Sequence, residues 1–182
     1  MPFAHDTEVA LNAATALVNS GRGQEGLPDV AALDRFISEW EWTGSRTRDQ
    51  AELDAVRALR PRLERLWDMD ADQAADLVNV VLRESGALPQ LVKHDGWDYH
   101  IHATSPEAPL ADRMAVEAAM AFADVIRSAS LARLRACAAD DCANLLVDLS
   151  KNHSRRFCGT TCANRVNVAA YRTRRAADSR VV

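Results

Sequence analysis

The sequence predicts a mainly α fold with a small β component (α+β): a helical N-terminal domain carrying one β-hairpin, then a small C-terminal finger organised by four cysteines. Three observations predict it. Apolar residues recur every three to four positions up to about residue 85, the spacing drops to two between Pro89 and Pro109, and all four cysteines fall between positions 137 and 162.

Taken in order, Asp6 or Thr7 is placed to cap a first helix bearing Leu11, Ala14, Leu17 and Val18, which Ser20-Gly21-Arg22-Gly23 stops. Asp29 caps a second helix carrying Leu33, Phe36, Ile37 and Trp40. After Thr43-Gly44-Ser45, a long stripe of Leu53, Val56, Leu59, Leu63 and Leu66 marks a third helix that Pro61 should bend or interrupt. Leu77, Val80 and Val81 mark a fourth, and such stripes read as core. Leu91-Val92-Lys93 and Trp97 to His102 then flank His94-Asp95-Gly96, a tight-turn signal that predicts a hairpin. On its second strand Trp97, Tyr99 and Ile101 face one way, and Asp98, His100 and His102 the other. His100 and His102 are a weak ligand-binding candidate, with His94 the nearest third group; a solvent-facing or packed pair is the simpler reading. A last helix of the domain runs from about Leu110 to Ile126, with Met114, Met120 and Val125 among its apolar positions.

The 182 residues, 48 % of them hydrophobic, suit one globular domain over 1–130 plus an appendage over 131–182. No apolar run approaches the roughly 18 residues of a membrane span, and the first residues lack the layout of a signal peptide. The cytoplasm is the expected location, and close-spaced cysteines there read first as metal ligands. Only two of the 22 basic residues are lysine, which with heavy Ala and Asp use suggests a GC-rich bacterial genome. The net charge of −4 hides an asymmetry: residues 1–128 hold 22 acids against 12 bases, and 129–182 hold 4 acids against 10 bases. A basic tail on an acidic body is the expected footprint of a polyanion-binding module joined to something that is not one.

The cysteines follow the pattern Cys137-x4-Cys142-x15-Cys158-x3-Cys162. Four thiolates fill a tetrahedral shell, which suits one zinc ion with no open position, so the predicted site is structural. Cys158 and Cys162 are four apart and share a side if Cys162 lies in the first turn of a helix, with Thr160 or Thr161 as its cap. Residues 144–148 and 155–157 read as strands around a polar 150–154 turn, giving a treble-clef-like finger. The following helix, from Cys162 to about Arg175, carries Asn164, Arg165, Arg172, Arg174 and Arg175, with Val166, Val168, Ala169 and Ala170 for packing. Guanidinium forks suit phosphates and guanine edges, and Asn suits adenine. Arg155 and Arg156 join the nucleic-acid candidates, or else offset the thiolate charge or hold Asp148.

These residues resemble the CGNR zinc-finger proteins of bacteria, whose finger follows an N-terminal ABATE domain. The resemblance is carried by Leu134-Arg135-Ala136-Cys137, residues 148–152, Ser154-Arg155-Arg156-Phe157-Cys158, Cys162-Ala163-Asn164-Arg165 and Tyr171-Arg172-Thr173-Arg174-Arg175. Ala163 stands in place of the name-giving glycine, Phe157 where tryptophan is common, and Leu146-Val147 where phenylalanine is frequent. Inside a helix the exchange of Gly for Ala favours the helix, so the metal site should survive. The resemblance implies a stress-responsive transcription regulator in which the N-terminal domain senses a small molecule or another signal.

The first functional expectation is thus a regulator that binds double-stranded DNA through the arginine-rich helix, with the helical domain sensing a ligand or forming a homodimer. The alternative is a zinc-stabilised protein-interaction module without DNA binding. An enzyme is not expected, since no nucleophile elbow, phosphate loop or paired metal-ligand helix is present. A pocket holding His100 and His102 beside an acidic residue would point back to one.

Overall fold

The computed structural model describes residues 3–93 and 98–178, and its helices are α1 (His5–Asn19), α2 (Val30–Glu39), α3 (Gln50–Glu64), α4 (Ala71–Glu84), α5 (Leu110–Arg127) and α6 (Thr160–Asp178). Two antiparallel strand pairs complete it: β1 (Gln90–Val92) with β2 (His100–His102), and β3 (Leu134–Ala136) with β4 (Leu145–Val147). The fold is helical with small β components, as the periodicity predicts.

Local chemistry sets the helix starts. Asp29, Asp49 and Asp70 each accept a hydrogen bond from the backbone three residues on, at 2.7, 2.8 and 2.9 Å, and Gln73 closes a reciprocal box with Asp70. The start of α1 differs from expectation: it begins at His5 behind Ala4, with no side-chain cap, and Asp6 lies in its first turn, favourably placed against the helix dipole. Pro61 does not interrupt α3, which runs on to Glu64 and tightens into a 3-10 turn over Arg65–Trp67. The buried face of α4 is Ala74, Val78 and Val81, while Val80 is exposed.

Helix α5 is the axis of the body and packs against α1, α3 and α4. Its alanines, among them Ala111, Ala115, Ala118, Ala119 and Ala121, are buried around the helix together with Met114, Phe122 and Val125, as expected of a helix surrounded by others. Trp67 meets the Phe122 ring edge-on at 5.4 Å between centroids.

In the first hairpin Leu91 pairs with Ile101, and Val92 with His100. The predicted turn at Asp95-Gly96, together with His94 and Trp97, lies outside the described residues. The two faces of the hairpin part as the alternation predicts: Leu91, Tyr99 and Ile101 are exposed, and the half-buried His100 and His102 form a packed pair turned toward the helices.

The second strand pair is also not the one expected. β4 pairs with β3 rather than with residues 155–157, in the register Leu134 with Val147 and Ala136 with Leu145. Leu134, Leu145 and Val147 belong to the apolar core of the helical body, so this sheet is the seam between body and finger. Side chains of the body secure that seam. Asn19 both donates to and accepts from the Leu145 backbone at 2.9 and 2.8 Å, Trp67 donates its indole N–H to the Leu146 carbonyl at 3.0 Å, and Arg22 donates to the Ala143 carbonyl at 2.6 Å while pairing with Glu64.

Candidate metal centre and basic helix

Cys137 and Cys142 lie in the loop between β3 and β4, Cys158 precedes α6, and Cys162 falls in its first turn. The helix begins at Thr160, so neither Thr160 nor Thr161 stands ahead of it as the expected cap. The two ends of the finger meet through backbone: Cys137 N–H donates to Asn144 at 2.8 Å, and Ala138 N–H to Arg156 at 2.8 Å.

All four sulfurs lie within 4.8 Å of one another. Four thiolates at the zinc–sulfur distance of about 2.3 Å would sit about 3.8 Å apart at the corners of a tetrahedron. The sulfur of Cys158 is 3.7 Å from those of both Cys142 and Cys162. The donor set therefore fits one zinc ion, held by Cys137, Cys142, Cys158 and Cys162, with no side left open for a substrate.

The surroundings suit a thiolate site. Burial opposes charge on Cys137, yet the amides of Cys158 and Ala139 help bring its thiol down to about 7. Burial and the neighbouring sulfurs push Cys158 up to about 12. A bound divalent cation is what stabilises such a cluster of thiolates together. Arg165 reaches Cys162 Sγ at 3.5 Å and Asp141 at 2.5 Å, and Asn144 Nδ2 lies 3.8 Å from Cys158 Sγ. Such outer contacts orient metal ligands and offset their charge.

A second polar centre holds the loop between β4 and Cys158. The carboxylate of Asp148, fully buried, accepts from the Ser150 amide at 3.0 Å, the Ser150 hydroxyl at 2.5 Å and the Arg155 amide at 3.1 Å, and pairs with Arg135 at 3.2 Å. Burial works against its charge, but these partners hold the carboxyl below its usual range. This is why 155–157 is not a strand: the Arg155 amide, which a ladder would need, is taken by Asp148.

The basic residues predicted from the sequence divide into two groups. Arg155 donates to the carbonyls of Phe157 and Cys158 at 3.2 and 2.7 Å, Arg156 stacks on Phe157, and Arg165 serves the metal site, so these three brace the finger. Asn164, Arg172, Arg174 and Arg175 are exposed along α6, and Arg175 lies over the Tyr171 ring at 5.9 Å. Past Val166 every residue to Arg175 is exposed, so Val168, Ala169 and Ala170 do not pack as expected. Sequence reading missed Arg133, which is buried and donates to the carbonyls of Asp148 and Ser150 at 2.7 and 3.0 Å. It also missed Arg135 and Asn19, because no local pattern marks a residue whose partner lies far along the chain.

Among family models, a CGNR zinc finger matches residues 133–175, and the ABATE domain, described as "putative stress-induced transcription regulator", matches residues 11–129. The chain belongs to the ABATE family and carries a CGNR zinc finger. Curated proteins yield no match. In this CGNR finger Ala163 is half-buried in the first turn of α6, and its amide donates to the Gly159 carbonyl at 3.2 Å. His100 and His102 lie apart from the finger, in the wall of a cavity within the ABATE domain.

Proposed function

We propose that this protein is a cytoplasmic transcription regulator whose CGNR finger presents α6 to double-stranded DNA, while the ABATE domain senses a small molecule. The observation that carries this reading is the exposed half of α6. From Asn167 to Arg175 it spans nine residues, about 13 Å at 1.5 Å each, close to the width of a major groove. Arg172 and Arg174 make no ion pair among the described residues, whereas Arg165 is tied to the site that fixes the helix. Zinc sets the pose of α6 and the free arginines meet phosphate.

The decisive measurement is fluorescence anisotropy of the zinc-loaded protein against genomic duplex fragments over a range of salt. Arg172→Ala with Arg174→Ala should weaken binding, and each lost phosphate contact should lower the slope of log affinity against log salt by about 0.9. Duplex binding indifferent to both changes would overturn the reading. Val168 and Tyr171, 47 % and 54 % exposed, favour the alternative of a protein partner for the same helix. In that case Tyr171→Ser would abolish partner binding and the arginine changes would not.

We assign no catalysis to the histidine cavity, although Asp6 and Glu117 also line it. His100 Nδ1 lies 2.8 Å from the Asp98 carbonyl and its Nε2 lies 2.9 Å from His102 Nε2, so both its nitrogens are engaged within the hairpin.

A further inference from the structure

The outward face of α6 has a side-chain chemistry as well as a charge. Successive helical residues turn by about 100°, and the covered positions Cys162, Ala163 and Val166 mark the side of α6 that meets the finger. Asn164 lies about 200° round the helix from both Cys162 and Val166, close to the opposite side. Asn167, Val168 and Tyr171 follow it at the spacings of three, four and seven that keep helical residues on one face. All four are exposed, and neither asparagine makes a hydrogen bond to the protein among the described residues. Arg172 and Arg174, farther along the helix, fall about 80° to either side of the line through Asn164.

A helix seated in a major groove meets base edges along its central line and phosphates along its flanks. The flanks of α6 offer guanidinium groups, which suit phosphates. Its central line offers two primary amides and a branched aliphatic side chain. An asparagine amide donates to N7 of adenine and accepts from the N6 amino group, and an apolar side chain meets the methyl group of thymine. From Thr160 to Arg175 the sequence has no carboxylate, so the acceptor that marks cytosine is missing from this stretch. Arg175, the arginine nearest the central line, lies beyond both asparagines and over the Tyr171 ring at 5.9 Å. Asn164 and Asn167 are about 4.5 Å apart along the axis, against about 3.4 Å between stacked base pairs, so the two amides address neighbouring pairs.

We infer that α6 selects duplexes carrying adjacent A·T base pairs, with Asn164 and Asn167 on adenine, Val168 on a thymine methyl group, and Arg172 and Arg174 on the flanking phosphates. The inference rests on the reading that α6 binds double-stranded DNA and adds the class of sequence that the helix prefers.

The test is fluorescence anisotropy of the full zinc-loaded chain against three duplexes of equal length: one containing every A·T step, one of G·C pairs only, and the first with 7-deazaadenine in place of adenine. The modified base loses the N7 acceptor in the major groove, while the charge and the minor-groove edge stay the same. The A·T duplex should bind roughly tenfold more tightly than the G·C duplex, and 7-deazaadenine should remove most of that advantage. Asn164→Ala with Asn167→Ala, checked for one zinc per chain and an unchanged melting temperature, should bring the A·T duplex to the affinity of the G·C duplex. The salt dependence should stay as it was, because no charge is removed. Arg172→Ala with Arg174→Ala should weaken both duplexes alike and keep the preference. Equal affinity for the two, a preference for G·C, or an A·T preference that survives either 7-deazaadenine or the asparagine changes would overturn the inference while leaving the DNA reading in place. Absence of salt-dependent binding to all three duplexes would overturn it together with the DNA reading.

Discussion

In the helical body Leu11, Leu33, Leu53, Val116 and Phe122 are fully buried, and all but Val116 join one continuous apolar cluster. In the finger the corresponding cluster is Ala139, Leu146, Cys137 and Cys162, with Phe157 and Val166 only partly covered. Each large side chain removed from water contributes about 1.5–3 kcal/mol, so the body accumulates its stability over many residues. The finger has too few such residues and depends instead on one metal centre, one buried carboxylate and the seam at β4. The difference teaches where each region is vulnerable: the body to lost volume, the finger to a lost ligand.

The largest expected effect is metal removal. Structural zinc in isolated fingers is worth about 10–16 kcal/mol, far more than the finger's own apolar contacts can replace. Treatment with a strong chelator should abolish hydrogen-exchange protection around residues 137–144 and at the start of α6, while α1 to α5 and the β3–β4 pair stay protected because Leu134, Leu145 and Val147 belong to the core of the body. Loss of protection throughout the chain would show that the metal supports the body as well.

The converse change is Phe122→Ala, which should cost about 3–5 kcal/mol through lost burial and a residual cavity. Urea unfolding reports the cost, and metal analysis of the surviving folded protein should still find one zinc per chain. Zinc released in step with the core would mean that body and finger form one cooperative unit.

A smaller effect is expected at the seam. Asn19→Ala removes both hydrogen bonds to Leu145 and should cost about 1–2 kcal/mol. The local sign is faster exchange of the Leu145 amide with little change at α4 or α5. Helix α1 is common to both regions, since Asp6 lines the cavity at one end and Asn19 grips β4 at the other.

Much of this architecture is legible in local patterns. The helix stripes, the cap at Asp29, the strand pair of residues 90–92 with 100–102 and the cysteine spacing each depend on residues near one another in sequence, where geometry is set by helical or strand periodicity. What the patterns leave open or miss has a shared origin. Alternation along His100-Ile101-His102 identifies two faces but not which one meets the body, because the groups that receive the histidines come from α1, α2 and α5. The strand expected at 155–157 fails because Asp148, seven residues back, captures the Arg155 amide. The seven predicted DNA-contact residues look equivalent in the sequence, yet Arg155, Arg156 and Arg165 are engaged within the finger.

By itself, then, the sequence determined the helical class, the metal and its four ligands, and the family, since each follows from short-range spacing and residue type. Only the tertiary structure decided which strand closes the seam, which way the histidines point, that Asp6, Glu41 and Glu117 share a cavity with Trp40 and Trp42, and which arginines are left over for a partner. Those outcomes depend on contacts between residues distant in the chain, and packing chooses among them by burial and hydrogen-bond satisfaction that no local window contains.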